Sequence, residues 1–133
     1  MNLVFTYLAV AITFVGLDMI WLRTMVERLY RPVLGYMLRS EPNLVPAAVF
    51  YLAYPAGLIW FAVLPAQQDG GALRAFASGA LLGCFTYATY DLTNQATLRS
   101  WSTGLSVADI CWGSILAGVS AWIGFLVVQR MTS

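Results

Sequence analysis

Apolar residues run along this chain in four long stretches separated by short polar breaks, a pattern that predicts four helices at about 3–22, 44–64, 73–98 and 105–128. Each stretch has roughly the 20 residues that a helix needs to cross the hydrocarbon core of a bilayer. Between the first two, Val26, Leu29, Tyr30, Val33, Leu34 and Met37 recur at helical spacing opposite Arg23, Glu27, Arg28 and Arg31. This segment reads as an amphipathic helix in the membrane interface. Pro32 interrupts it, either as the start of a new turn or as a kink in a continuation of the first helix.

Composition agrees with the pattern. The 133 residues are 60% hydrophobic and 10% charged, too apolar for a water-soluble domain of this size and too few for a second domain. The expected fold class is an all-α integral membrane protein, one transmembrane domain of four helices lodged in a lipid bilayer. The first stretch has no basic leader and no convincing small-residue cleavage site before Arg23, so it reads as a retained helix rather than a signal peptide. A net charge of +1, with no basic run, speaks against nucleic acid as a partner. Arginine is unevenly placed. Arg23, Arg28, Arg31 and Arg39 follow the first span and Arg99 the third, against Arg74 and Arg130 at the other face. By the positive-inside bias the richer face is cytoplasmic and both termini lie outside.

The absences narrow the chemistry. With no histidine and no lysine, the chain has no Ser-His-Asp triad, no imidazole ligand for haem or zinc, and no lysine for a Schiff base. Carboxylate, phenol, thiol and guanidinium groups remain, and no cofactor or metal is assigned. Cys84 and Cys111 fall on different helices at depths differing by roughly 12 Å, so no disulfide is expected.

The polar residues inside the spans are the candidate chemistry. Tyr87, Tyr90, Asp91 and Asn94 occur at i, i+3, i+4 and i+7, a stripe along one face of the third helix that should turn away from lipid. Counted from the cytoplasmic ends, Asp18 and Asp109 lie about 6 Å into their spans and Asp91 about 10 Å. Three carboxyl groups thus share a layer, which Tyr51 and Tyr54 reach from the second helix. Pro55 cannot donate to the Tyr51 carbonyl, which leaves an acceptor free at an expected kink. One aspartate at mid-membrane costs about 2.5–3.5 kcal/mol, so three are unlike idle decoration. Asp91 with its stripe is the expected functional centre. Asp18 and Asp109 have a second reading as anchors, because Trp21 and Trp112 follow them by one helical turn and each indole could bond the aspartate of its own helix. Arg23 and Arg99, at the layer's edge, could bend inward to pair with a carboxylate. Ala75, Gly79 and Gly83, and likewise Gly113, Ala117 and Ala121, are spaced by four and predict close contact of the last two helices.

Leu17 and Asp18 with Trp21 and Leu22, the run Tyr90-Asp91-Leu92-Thr93-Asn94, and Asp109 with Trp112 and Gly113 together resemble the domain-of-unknown-function 2177 family of small bacterial membrane proteins. The resemblance extends over nearly the whole chain, and the motif at 90–94 is its most specific part. It implies four helices and a bacterial inner-membrane location, and it brings no established activity or catalytic residues. Three classes of function fit the layer. It could bind or translocate a cation, proton or small amine-bearing ligand, with a homodimer as the working unit since the 90–94 motif has no inverted copy. It could be a membrane enzyme using carboxylates as acid and base on lipid or isoprenoid chains. Or it could be an accessory subunit or assembly factor pairing its acids with arginines of a larger membrane complex.

Overall fold

A computed structural model describes residues 3–35 and 44–132; Met37 and Arg39 of the first connection lie outside the described residues. Every element in it is helical. In order they are α1 (Leu3–Met25), a π-helical turn at Val26–Tyr30, α2 (Arg31–Leu34), α3 (Leu44–Leu58), a second π turn at Ile59–Val63, α4 (Leu64–Gln68), α5 (Gly71–Thr97) and α6 (Thr103–Thr132).

The two π turns have one cause. Each stands just ahead of a proline, Pro32 in α2 and Pro65 in α4, which sits in the first turn of the following α-helix. A proline in mid-helix cannot donate to the carbonyl four residues back and its ring collides with it. Here the residue before each proline reaches one residue further instead: Arg31 N–H bonds Val26 O, and Leu64 N–H bonds Ile59 O. The helix widens for a turn and runs on. The chain through Pro32 is therefore a continuation of α1, and the alternative of two separate turns is set aside.

Among the described residues, three helical runs are long and apolar enough to cross a membrane: Leu3–Tyr30, Leu44–Gln68 and Thr103–Met131. The chain is an all-α membrane protein. The further helix, α5, has 27 residues and so is about 40 Å long, comparable with the others, but is more polar. It follows a tight turn at Asp69 and Gly70, and the φ values of Gly70 and Gly71, 95° and 64°, lie where a side chain would be strained.

α5 and α6 are antiparallel neighbours, in contact from Phe76 against Gly118 to Gln95 against Thr103. The small residues make this possible. A Cβ at Gly79 would fall 2.7 Å from the Ala121 Cβ and 2.8 Å from the Ala117 carbonyl oxygen, and one at Gly113 would strike the Tyr87 ring. The helices touch through backbone, as the spacing by four predicts. α1 crosses α6 antiparallel on another side, with Val10 against Gly124 and Trp21 stacked on Trp112 at 4.8 Å between ring centres.

The apolar core fills one half of this bundle. Val10, Phe14, Leu58, Ala62, Val63, Leu116, Ala117 and Ala121 are buried together. Towards the end where the chain passes from α5 to α6 the core gives way to carboxyl and phenol groups. Large apolar residues such as Ile12, Val49, Trp60, Leu73 and Phe85 point outward, more than half exposed, as lipid-facing positions should.

Candidate functional site

Beyond the dry core, α1, α3, α5 and α6 surround a cavity of about 620 Å³. Asp18 and Asp109 line it with Tyr30, Tyr51, Tyr87 and Tyr90, and its other wall is apolar: Leu22, Val26, Pro46, Ala47 and Phe50. Asp18 and Asp109 are themselves only 7% and 6% exposed.

Each carboxylate is held by one phenol and drawn into one indole. Tyr51 donates its hydroxyl to Asp18, and the Trp112 indole N–H donates to the other Asp18 oxygen at 3.1 Å. Tyr30 donates to Asp109, and the Trp21 indole N–H donates to that same Tyr30 oxygen at 2.9 Å. The indoles thus serve the opposite helix: Trp112 on α6 reaches Asp18 on α1, and Trp21 on α1 reaches Asp109 through Tyr30. This corrects the expectation that each tryptophan bonds the aspartate one turn behind it. The reason is packing. Two antiparallel Asp-x-x-Trp segments in contact place each tryptophan across from the other segment's aspartate, and side chains that lean towards their helix N-terminus meet there. The stacked rings of Trp21 and Trp112, inclined by only 5°, mark the centre of this exchange.

The third helix divides its polar stripe. Tyr87 and Tyr90 line the cavity, but Asp91 and Asn94 do not. Tyr90 is 57% exposed and packs edge-on against Trp101 at 5.8 Å. Asn94 neighbours the Tyr90 hydroxyl. Asp91, about 100° further round the helix, turns into the α5–α6 contact and is completely buried. Ser106 lies on its backbone carbonyl at 3.4 Å, and the Asp109 carboxyl is its neighbour. Neither carboxyl oxygen of Asp91 has a hydrogen-bond partner among the described residues. Tyr54 stands behind the lining, its hydroxyl 3.3 Å from Thr86, which does face the cavity.

Tyr30 is the site residue that sequence reasoning misses. Its spacing assigns it to the apolar face of an interfacial segment, and the π turn carries it to Asp109 instead. The carbonyl near Pro55 that accepts a side-chain bond is that of Leu52, from Tyr7 at 2.6 Å, rather than that of Tyr51. Arg23 and Arg99 stay exposed. Among the described residues the ion pairs are Arg31 with Glu27 and Arg74 with Asp69, and none of the described arginines neutralises Asp18, Asp91 or Asp109. Cys84 and Cys111 are both free. No group of three or more Cys, Asp or Glu residues among the described residues could hold a metal ion.

Comparison with known proteins supplies the family. The model of a family described as predicted membrane protein, domain of unknown function 2177, matches residues 3–126. The chain belongs to this family. No curated protein and no solved structure matches it at a significant level. The role of this member of the 2177 family therefore has to be read from its geometry: a half-apolar cavity, two nine-tenths buried carboxylates and a ring of phenols.

Proposed function

We propose that this membrane protein binds a small organic cation, such as an amine-bearing molecule, in the cavity between α1, α3, α5 and α6. The observation that carries the reading is charge without compensation. Asp18 and Asp109 face a cavity, Asp91 is buried behind Asp109, and no basic side chain pairs with any of them among the described residues. Acidic groups within a span are costly and normally mark a pathway or a ligand. A cation supplies what is missing. At a separation of 4 Å and an effective dielectric of 20, one ammonium–carboxylate contact is worth about 4 kcal/mol before desolvation.

Size favours a molecule over a bare ion. A cavity of about 620 Å³ falls within the roughly 300–1,000 Å³ of ordinary small-molecule sites. The phenols suit the same ligand, since Tyr30, Tyr51, Tyr87 and Tyr90 line the cavity and aromatic rings attract cations. In this reading α5 crosses the bilayer with the other three helical runs. The acidic layer lies in the cytoplasmic half, because Arg23, Arg28, Arg31 and Arg99 belong to that end.

The test is ligand-induced thermal stabilisation of the purified protein in lipid nanodiscs with tetramethylammonium and simple alkylamines as probes. Wild type should be stabilised, and Asp109→Asn and Asp18→Asn should each lose the effect while remaining folded. Equal stabilisation of wild type and both variants would refute the reading.

A further inference from the structure

The cavity has two unlike ends, and this bears on what kind of cation it takes. Its carboxylates sit at the inner end against α6, where Asp18 and Asp109 are almost fully buried. Its outer wall comes from α1 with its π turn and from the start of α3: Leu22 and Val26 on one side, Pro46, Ala47 and Phe50 on the other. That wall carries no charged or hydrogen-bonding side chain. Pro46 is exposed and Phe50 is 37% exposed, so this apolar wall between α1 and α3 reaches the surface that meets lipid. A hydrophilic cation would gain nothing from such a wall and would have to leave water to pass it.

We infer that the ligand is an amphiphilic cation, its charged head between Asp18 and Asp109 and its apolar tail leaving between α1 and α3 into the membrane. Charge complementarity decides the head and the apolar wall decides the tail. The fully buried Asp91 stands behind Asp109, so the carboxyl groups of the site gather at the head end alone. The inference rests on the proposed cation binding and narrows its substrate class to membrane-partitioned amines and quaternary ammonium compounds.

The experiment compares three probes in nanodiscs: tetramethylammonium, dodecyltrimethylammonium at low mole fraction in the lipid, and dodecanol as the uncharged tail. Membrane partitioning alone concentrates a dodecyl compound, so a variant of the wall is needed. Ala47→Trp adds bulk there and leaves the carboxylates untouched. In wild type the dodecyl cation should half-saturate at a concentration about tenfold or more below tetramethylammonium, and dodecanol should have no effect. Ala47→Trp should erase the dodecyl advantage, the two cations half-saturating this variant at similar concentrations. Leu22→Trp, from the opposite wall, should do the same, so that misfolding of one variant leaves the other to decide. Equal half-saturation by the two cations in wild type, or a dodecyl advantage that survives both tryptophans, overturns the amphiphile inference while the cation reading stands. Loss of both responses in both variants overturns the division into head and tail ends. Stabilisation by dodecanol, or by neither cation, overturns the cation reading itself.

Discussion

At the scale of single residues, the unusual feature is that two tryptophans exchange aspartates. The bond from Trp112 to Asp18 joins residues 94 apart in sequence, and the bond from Tyr30 to Asp109 joins residues 79 apart. Polar bonds between membrane helices contribute about 0.6 kcal/mol on average and at most about 1.7. Trp112→Phe keeps the ring stack on Trp21 and removes only the N–H, so it should cost about 0.5–1.5 kcal/mol in reversible unfolding. Tyr30→Phe should cost more, because the Tyr30 oxygen both accepts from Trp21 and donates to Asp109. Double-mutant cycles separate crossed from local pairing. Trp112→Phe should couple to Asp18→Ala by about 0.5 kcal/mol or more, and Trp21→Phe should couple to Tyr30→Phe likewise. A stronger coupling of Asp18 to Trp21 than to Trp112 would mean that each tryptophan serves its own helix after all.

At the scale of elements, the decisive feature is the π turn ahead of Pro32. Hydrophobic periodicity locates the helical runs because a lipid-facing helix must be apolar over its length, and all four expected helices occur, extended by a few residues at most ends. Periodicity assumes 3.6 residues per turn throughout, however. One widened turn changes the phase of every later residue in the helix, so Tyr30 can belong to an apolar face by spacing and still meet Asp109. The same limit explains the stripe on α5. Spacing correctly puts Tyr87, Tyr90, Asp91 and Asn94 on one side of the helix, but that side straddles the boundary between the cavity and the α6 contact. Which residues fall on which side depends on α6, which no local pattern reveals. The partner of each indole is illegible for a similar reason, since it is a relation between helices. If the proline-induced turn is what delivers Tyr30, Pro32→Ala should restore regular α-helix and withdraw the phenol from Asp109. In a wild-type background this should destabilise the protein about as much as Tyr30→Phe does; in the Tyr30→Phe background it should cost little more. Full additivity of the two substitutions, measured by the same unfolding titration, would separate the proline from the tyrosine's placement.

At the scale of the whole molecule, an apolar end and a polar end are joined by the same helices. The core around Phe14, Val63 and Leu116 is closely packed and mostly apolar, with Thr6 and Ser120 buried in the same half, so it offers a charged ligand no polar path through that half of the bundle. Access is from the end bearing Tyr30 and Asp109, or sideways between α1 and α3. Which leaflet this is depends on orientation, and the arginines argue for the cytoplasmic one: Arg23, Arg28 and Arg31 extend from α1 beyond the acidic layer, and Arg99 sits in the turn between α5 and α6 at the same end. Single cysteines read this out in a background with Cys84 and Cys111 replaced by serine. A cysteine at Arg99 should react with a membrane-impermeant maleimide only after the cells are opened, and one at Asp69, in the turn at the other end, should react in intact cells. Reversal of both results would put the acidic layer in the outer leaflet and make the ligand one that arrives from outside. With the expected result, the amphiphile enters from the cytoplasmic leaflet, and its charged head moves about 6 Å inward from the end of the span to reach Asp109.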